Sequence, residues 1–131
     1  MALRRLVPLL TAVSAALLVT GFAPGFAPGD SLTVRVAGGS TYTLKCSPVG
    51  GSHPSAGAAC ARLAELGGGG RDPFAPVAGG SLCTMQYGGT ATARITGTWQ
   101  GKRVNAVFDR KNGCEISRWR ALEPVLPSVT S

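Results

Sequence analysis

Residues 31–46 decide the fold class, and they read SLTVRVAGGSTYTLKC. Apolar and polar residues alternate on both sides of the Gly38-Gly39 pair. A period of two residues is typical of β-strands that bury one face, and a glycine pair between them indicates a turn. The stretch therefore predicts two half-buried strands joined by a turn. Their alternating positions are Leu32, Val34, Val36, Tyr42, Leu44 and Cys46.

A second pair of strands is predicted in residues 90–108. β-Branched residues are frequent up to Trp99, and the Gln100-Gly101 pair that follows is a turn signal. We expect this hairpin to lie beside the first, with Trp99 as a core residue, because a tryptophan is more often a core anchor than a ligand platform. The alternating positions after the turn are Val104, Ala106 and Phe108.

Two helices complete the prediction. Apolar residues recur at three- and four-residue spacing in residues 55–66, and the four glycines of residues 67–70 end that helix. A shorter helix is predicted after Cys114. Residues 71–81, dense in Pro and Gly, predict a surface connection, and residues 124–131 are expected to fray. The fold class is therefore α+β, an antiparallel sheet with helices on one face.

The N-terminus is typical of an export signal. Arg4 and Arg5 precede an apolar stretch of 14 residues, shorter than the roughly 20 that a membrane-spanning helix needs. We expect residues 1–29 to be a signal peptide and flexible leader, cleaved between about residues 21 and 30. Residues 30–131 are then a secreted domain without a membrane anchor.

Charge is moderately positive. Thirteen Lys and Arg stand against six Asp and Glu, a formal charge of +7, which falls to +5 without Arg4 and Arg5. Such basicity attracts anionic surfaces without identifying a partner. A basic patch near Trp99 would make the chain a secreted binding module for anionic polymers, although solvated charge at a sheet edge is the favoured interpretation, and no nucleic acid partner is expected. The patch residues are Lys102, Arg103, Arg110 and Lys111.

Four cysteines lie beyond the expected leader: Cys46, Cys60, Cys83 and Cys114. An even number in a small exported chain predicts two disulfides, in any of three connectivities. A metal site is disfavoured, because the cysteines lack zinc-finger spacing and His53 is the single histidine.

Catalysis is not predicted. His53 stands between Ser52 and Pro54 at a helix entrance, where a structural role is favoured, and the acidic residues are scattered. The chain is therefore expected not to be an enzyme and to need no cofactor.

Several motifs, in order and at their spacings, resemble the Streptomyces subtilisin inhibitor family. The similarity runs from about Leu32 to Glu115. Beyond Glu115 the family's closing strand is not recognisable. The motifs are Cys46-Ser-Pro48, Gly51-Ser-His53-Pro54, Ala59-Cys60-Ala-Arg-Leu63, Cys83-Thr-Met85 and the GTWQGKRV of residues 97–104.

The resemblance implies a secreted proteinaceous inhibitor of serine proteases. It implies a five-stranded antiparallel sheet with two short helices, disulfides Cys46–Cys60 and Cys83–Cys114, and a homodimer formed through sheet faces. The expected partner is a subtilisin-type protease, with chymotrypsin-type enzymes second, since methionine suits an apolar pocket.

The resemblance also places a reactive site just after the third cysteine. Met85–Gln86 becomes the scissile bond, with Cys83, Thr84 and Tyr87 as further protease-contacting residues and Asn112 as support for the loop. From the residues alone, Met85 would be a core residue of a strand, because residues 82–87 alternate. Gly88-Gly89 is interpreted as a loop end that gives little rigidity.

Overall fold

The computed structural model describes residues 29–130, so all of the expected signal peptide and leader except Gly29 lies outside the described residues. Five strands and two α-helices form one domain. They are β1 (Ser31–Val36), β2 (Thr41–Cys46), β3 (Val49–Gly50), α1 (Ala56–Leu66), β4 (Ala93–Trp99), β5 (Lys102–Phe108) and α2 (Gly113–Ala121).

The strands form one antiparallel sheet in the order β3-β2-β1-β4-β5. β1 is central, and its Val34 pairs with Tyr42 of β2 and with Ile95 of β4. The α+β class with five strands, two helices and two disulfides is confirmed. The two-residue strand β3 has no alternation of its own, which explains why only the family resemblance implied it.

The core lies between one face of the sheet and the helices. The alternating positions of the four longer strands point into it, as the sequence predicts, and α1 contributes Ala59 and Leu63. The Cys46–Cys60 disulfide joins β2 to α1. Among the helices of residues 29–130, none has the length and apolar character that crossing a bilayer requires.

The connection of residues 71–81 is not wholly a surface segment. Phe74 is buried and packs edge-on against Trp99, with ring centroids 6.4 Å apart, which confirms Trp99 as a core residue. Arg118 of α2 donates to the carbonyl oxygens of Phe74 and Val107, at 3.1 and 2.6 Å. These contacts attach the connection to β5.

The expectation that residues 124–131 fray is wrong at Val125 and Leu126. Val125 and Leu126 are buried in the core. His53 Nδ1 accepts from Ser55 N–H, which leaves Nε2 to donate to the Val125 carbonyl oxygen at 3.0 Å. The structural role expected of His53 is confirmed, and it consists of holding this C-terminal segment.

Glycine is required at position 97, where β4 pairs with Leu32 of β1. The φ of Gly97 is +132°, and a Cβ at this position would collide with the carbonyl oxygen of Ser31. Glycine tolerates this backbone conformation, whereas an L-residue with a side chain is strained there.

Gly97→Ala is expected to destabilise the domain by roughly 1–3 kcal/mol, the range for a residue forced into a sparsely populated conformation. Gly57→Ala in α1 is the matched control, because a Cβ there meets nothing within 4 Å. The control should be neutral or slightly stabilising, since alanine favours helix. Urea unfolding of both variants measures the difference, and equal stabilities would contradict the crowding at Gly97.

Candidate functional site

The most exposed apolar side chains of the described chain lie together in one segment. Leu82, Met85 and Tyr87 have relative exposures of 101%, 95% and 62%, and residues 82–88, here called the exposed loop, contain neither helix nor strand. The interpretation of Met85 as a core residue of a strand is therefore wrong. Large apolar groups clustered in water are typical of a binding surface.

One end of the exposed loop is fixed to the start of α2. The Cys83–Cys114 disulfide joins the two segments, and the N–H of Gly113 donates to the carbonyl oxygen of Thr84 at 3.0 Å. A Cβ on Gly113 would collide with Thr84 Oγ1, so glycine permits this close approach. Both disulfides join the cysteines in the pairs that the family resemblance implied.

The other end is fixed at Gly88. Its N–H donates to the Arg110 carbonyl oxygen at 2.8 Å, and its own carbonyl oxygen accepts from Arg110 Nε at 2.9 Å. Gly88 is buried, and a Cβ there would lie 2.7 Å from Ile116 Cγ1. The expectation that Gly88-Gly89 gives little rigidity is therefore wrong for Gly88, which is an anchor point.

Arg110 does not belong to a basic surface patch. Its relative exposure is 0%, and its guanidinium carbon lies 5.8 Å from the centroid of the Trp119 ring. Its Nη1 and Nη2 atoms have no hydrogen-bond partner within residues 29–130. Trp119 is itself fixed, because its Nε1 donates to the Pro127 carbonyl oxygen at 2.9 Å. A cation over an aromatic face is stabilised by the ring quadrupole. Trp119 therefore offsets part of the free-energy cost of burying the charge of Arg110.

Between the two anchors the backbone is free. Within the described chain, no backbone hydrogen bond involves Met85, Gln86 or Tyr87. Backbone N–H and C=O groups that are exposed and unpaired can bond an incoming chain. The exposed loop thus presents three residues of unpaired backbone with Met85 at their start.

The structure brings most of the expected site residues together. The exposed loop contains Cys83, Thr84, Met85, Gln86 and Tyr87, and Asn112 and Cys114 lie at the start of α2. The Asn112 side chain accepts from Glu115 N–H at 3.0 Å and caps α2. Its hydrogen bond therefore orders the first turn of α2, which contains Gly113, the residue that bonds Thr84 of the loop. Cys46 and Cys60 stabilise a different part of the domain.

The sequence did not reveal four supports of the loop: Gly88, Arg110, Gly113 and Trp119. A signal for Arg110 existed: it continues the inward positions 104, 106 and 108 by one more step of two. No comparable signal existed for the two glycines, because their requirement arises from contacts between segments distant in the chain.

The chain forms a small disulfide-bonded domain, and it presents an exposed loop that is fixed at both ends. These features are typical of a binding protein. The family model described as subtilisin inhibitor-like matches residues 27–112. This chain belongs to the subtilisin inhibitor-like family. Since the family consists of inhibitors and not of enzymes, the prediction of a non-enzymatic protein is confirmed. The match ends at Asn112, so α2 lies beyond it.

Individual proteins that resemble this chain carry names consistent with that family. Subtilisin inhibitor-like protein 1 of Streptomyces cacaoi is 39% identical over 83 residues, which cover 60% of this chain and 72% of that protein. The subtilisin inhibitor of Streptomyces violaceus is 42% identical over 78 residues, 56% of this chain and half of that inhibitor's length. Protease inhibitor SIL-V2 of Streptomyces orinoci is 34% identical over 87 residues, 66% and 76% of the two chains.

Arg110→Met is expected to loosen the exposed loop without unfolding the domain. The variant removes the Nε bond to the Gly88 carbonyl oxygen but also a buried, incompletely paired charge, so global stability should change little. Loss of one hydrogen bond from a charged donor should speed exchange of the Gly88 amide hydrogen by about tenfold. Exchange followed by NMR measures it.

Arg62→Met is the matched control, because Arg62 Nε also donates to a backbone carbonyl, that of Ala121, away from the loop. Gly88 exchange should be unaffected in this variant. Equal exchange of the Gly88 amide in the wild type and in Arg110→Met would contradict the anchoring role of Arg110.

Proposed function

We propose that this protein inhibits subtilisin-type serine proteases by presenting the exposed loop as a substrate, with Met85–Gln86 as the scissile bond. One observation carries the proposal: a methionine with 95% relative exposure stands between two anchor points that hold its backbone in place. The names of its relatives, subtilisin inhibitor and protease inhibitor, support the same activity for this chain.

Binding would use the backbone for affinity and Met85 for selectivity. The unpaired N–H and C=O groups of residues 85–87 can add to the edge of a substrate cleft as a further strand. The exposed Met85 side chain then enters an apolar specificity pocket, and its burial is worth about 1.5–3 kcal/mol. Chymotrypsin-type enzymes come second as targets, and trypsin-type enzymes would find no positive charge on this side chain.

Cleavage of the loop would be reversible because both new ends stay attached. When the protease serine attacks the Met85 carbonyl, the acyl-enzyme forms and the new amino group of Gln86 is released. Met85 remains tied through Cys83 to Cys114, and Gln86 remains tied through Gly88 to Arg110. The tethered amine has a high effective concentration, so it can attack the acyl-enzyme, restore the peptide bond and release the serine hydroxyl.

Preorganisation would add to the affinity. The contacts at Thr84 and Gly88 exist before any protease binds, so less conformational entropy is lost on association. Asn112 supports the loop by capping the first turn of α2, because this turn contains Gly113, whose N–H bonds the Thr84 carbonyl oxygen. Cys83, Thr84 and Tyr87 flank the scissile bond and would contact the protease directly.

The protein would act outside the cell. Two disulfides and no free cysteine, within the part of the chain described here, fit an oxidising compartment. The expected signal peptide supports the same location. Homodimerisation stays a prediction of the family resemblance, and inhibition as proposed does not need it, because one chain supplies the loop and both of its anchors.

Met85→Gly should weaken inhibition of subtilisin by about 10- to 100-fold, because the side chain that fills the specificity pocket is lost. Met85→Lys should shift inhibition towards trypsin, which a general loss of structure would not do. Val107→Ala is the control, since Val107 is another exposed apolar residue, on the sheet. Titration of each enzyme with purified inhibitor gives the constants. Unchanged subtilisin inhibition by Met85→Gly would show that the reactive site lies elsewhere.

A further inference from the structure

Strand β5 lies at the edge of the sheet, and half of its backbone faces away from β4. The Gln100-Gly101 turn has positive φ at both residues, 48° and 75°, which is typical of a type I′ hairpin. A two-residue turn makes Trp99 and Lys102 a hydrogen-bonded pair, and bonded pairs then recur at every second residue. The backbone groups of the residues between them point to the open edge. These edge-facing residues of β5 are Arg103, Asn105 and Val107.

The open edge of β5 is only partly covered. The Val107 carbonyl oxygen accepts from Arg118 Nη1 at 2.6 Å, which agrees with the direction that the turn dictates. Within residues 29–130, no hydrogen bond involves the edge-facing N–H and C=O groups of Arg103 and Asn105. Unpaired backbone on an edge strand is a template for pairing with another chain. These two residues therefore offer their N–H groups as donors and their carbonyl oxygens as acceptors to a partner.

A groove of about 300 Å³ lies along this free part of β5. It is on the side of the sheet that carries the helices, because its lining includes Trp99, Val104 and Ala106, which are inward positions of β4 and β5. Phe74, packed edge-on against Trp99, adds a second aromatic ring. The volume is at the lower end of the range for ligand sites. The other large apolar lining residues are Pro73 and Pro76.

Charge around the groove is positive. Three exposed cations, Arg71, Lys102 and Arg103, line it together with one carboxylate, and three positive charges minus one negative charge leave +2. Within the described chain none of the three cations forms a salt bridge. The carboxylate belongs to Asp72 and accepts from the Phe74 N–H at 2.9 Å. Complementary charge favours acidic partners and disfavours basic ones.

The same charges disfavour a second copy of this chain at the open edge. Pairing of β5 with β5 of another copy would bring Lys102 and Arg103 of both chains onto one strand pair. Like charges on neighbouring strands are destabilising, and charged edge residues commonly prevent such self-pairing. The groove therefore selects a partner of opposite charge.

We propose that this groove is a docking site for an extended acidic segment of another polypeptide, which adds to β5 as a further strand. Its backbone bonds the edge-facing groups of Arg103 and Asn105, its alternate apolar side chains enter the groove, and its carboxylates face the cations. The paired segment is about four or five residues long, because Arg118 already covers the edge at Val107. Backbone bonds give affinity in this mode of binding, and the alternating side chains give selectivity.

The groove is separate from the proposed protease site. It lies at residues 102–106, in the first part of β5, whereas the exposed loop is fixed by residues 110–114, beyond the end of this strand. A homodimer through sheet faces, as the resemblance implies, would use the face opposite the helices and leave the groove open. Acidic segment and protease can therefore bind at the same time, and the inference does not depend on inhibitory activity.

NMR titration with a pentapeptide of alternating glutamate and valine, blocked at both ends, tests the proposal. The amide signals of Arg103 and Asn105 should shift in a saturable manner, because their N–H groups gain acceptors. Methylation of the peptide's backbone nitrogens should weaken binding by about tenfold or more, since its donors to β5 are lost. A peptide with lysine in place of glutamate should bind about tenfold more weakly at low salt.

Asn105→Pro tests the open edge directly. It removes the edge-facing N–H and leaves the bonds to β4, because proline is tolerated on an edge strand where the N–H faces outward. Peptide binding should weaken by about tenfold or more. Asn105→Ala is the matched control: it loses the side-chain bond to Arg94 but keeps the N–H, so it should retain most of the affinity. Thermal melting shows whether both variants are folded.

The cations are tested by Lys102→Gln/Arg103→Gln, which should weaken peptide binding by about fivefold at low salt. Lys111→Gln/Arg120→Gln removes the same charge from exposed sites outside the groove and should bind the peptide as the wild type does. Equal weakening by the two double variants would overturn the proposal.

Three further results would also overturn it: wild-type affinity of a folded Asn105→Pro variant, undiminished binding of the methylated peptide, or no saturable shift at millimolar peptide. If Asn105→Pro does not fold, the methylated peptide probes the same hydrogen bonds on the wild-type protein. Sedimentation covers the other occupant: a wild-type dimer that Asn105→Pro but not Asn105→Ala dissociates would place a second copy on the edge and contradict the proposal. Protease titration in parallel keeps these results independent of inhibition.

Discussion

The central constraint is a short span of free backbone whose two ends are held by residues 110–114, at the entrance to α2. Cys83 is bridged to Cys114, Thr84 is bonded to Gly113, and Gly88 is bonded to Arg110. Residues 85–87 can therefore be exposed without being loose. Arg110 in turn lies against Trp119 of α2, Trp119 donates to the Pro127 carbonyl oxygen, and His53 bonds the same C-terminal segment at Val125. The order of the loop thus depends on packing more than a dozen residues away in the chain.

Much of the fold could be predicted from the sequence because one face of the sheet is buried and the other is exposed to solvent. Apolar residues therefore recur with a period of two in residues 31–46 and again near Val104. In α1, which also buries one face, they recur every three to four residues. β3 was beyond such reasoning, since two residues have no period. Residues 124–130 were misjudged because their prolines suggested an end of structure, whereas Val125 and Leu126 fill the space beside the core.

For the site, the position could be predicted but the supporting contacts could not. Its position came from the motif around Cys83 and from the family resemblance, since the alternation of residues 82–87 by itself predicted a buried strand. Its supports are contacts between distant segments, which local patterns do not encode. Arg110 shows the limit well: as a cation it suggested the surface, while its place in the alternation of β5 indicated the interior, and the structure follows the alternation. The family match, which ends at Asn112, does not reach Trp119 either.

The most direct test of a loop held at both ends is the equilibrium of the Met85–Gln86 bond with a catalytic amount of subtilisin. Starting from intact protein and, separately, from protein already cleaved at this bond, mass spectrometry under non-reducing conditions follows the ratio of the two forms. The tethered ends predict that both reactions converge on one mixture that contains intact chain. Complete conversion to cleaved protein, with no intact chain recovered from the cleaved starting material, would contradict the account.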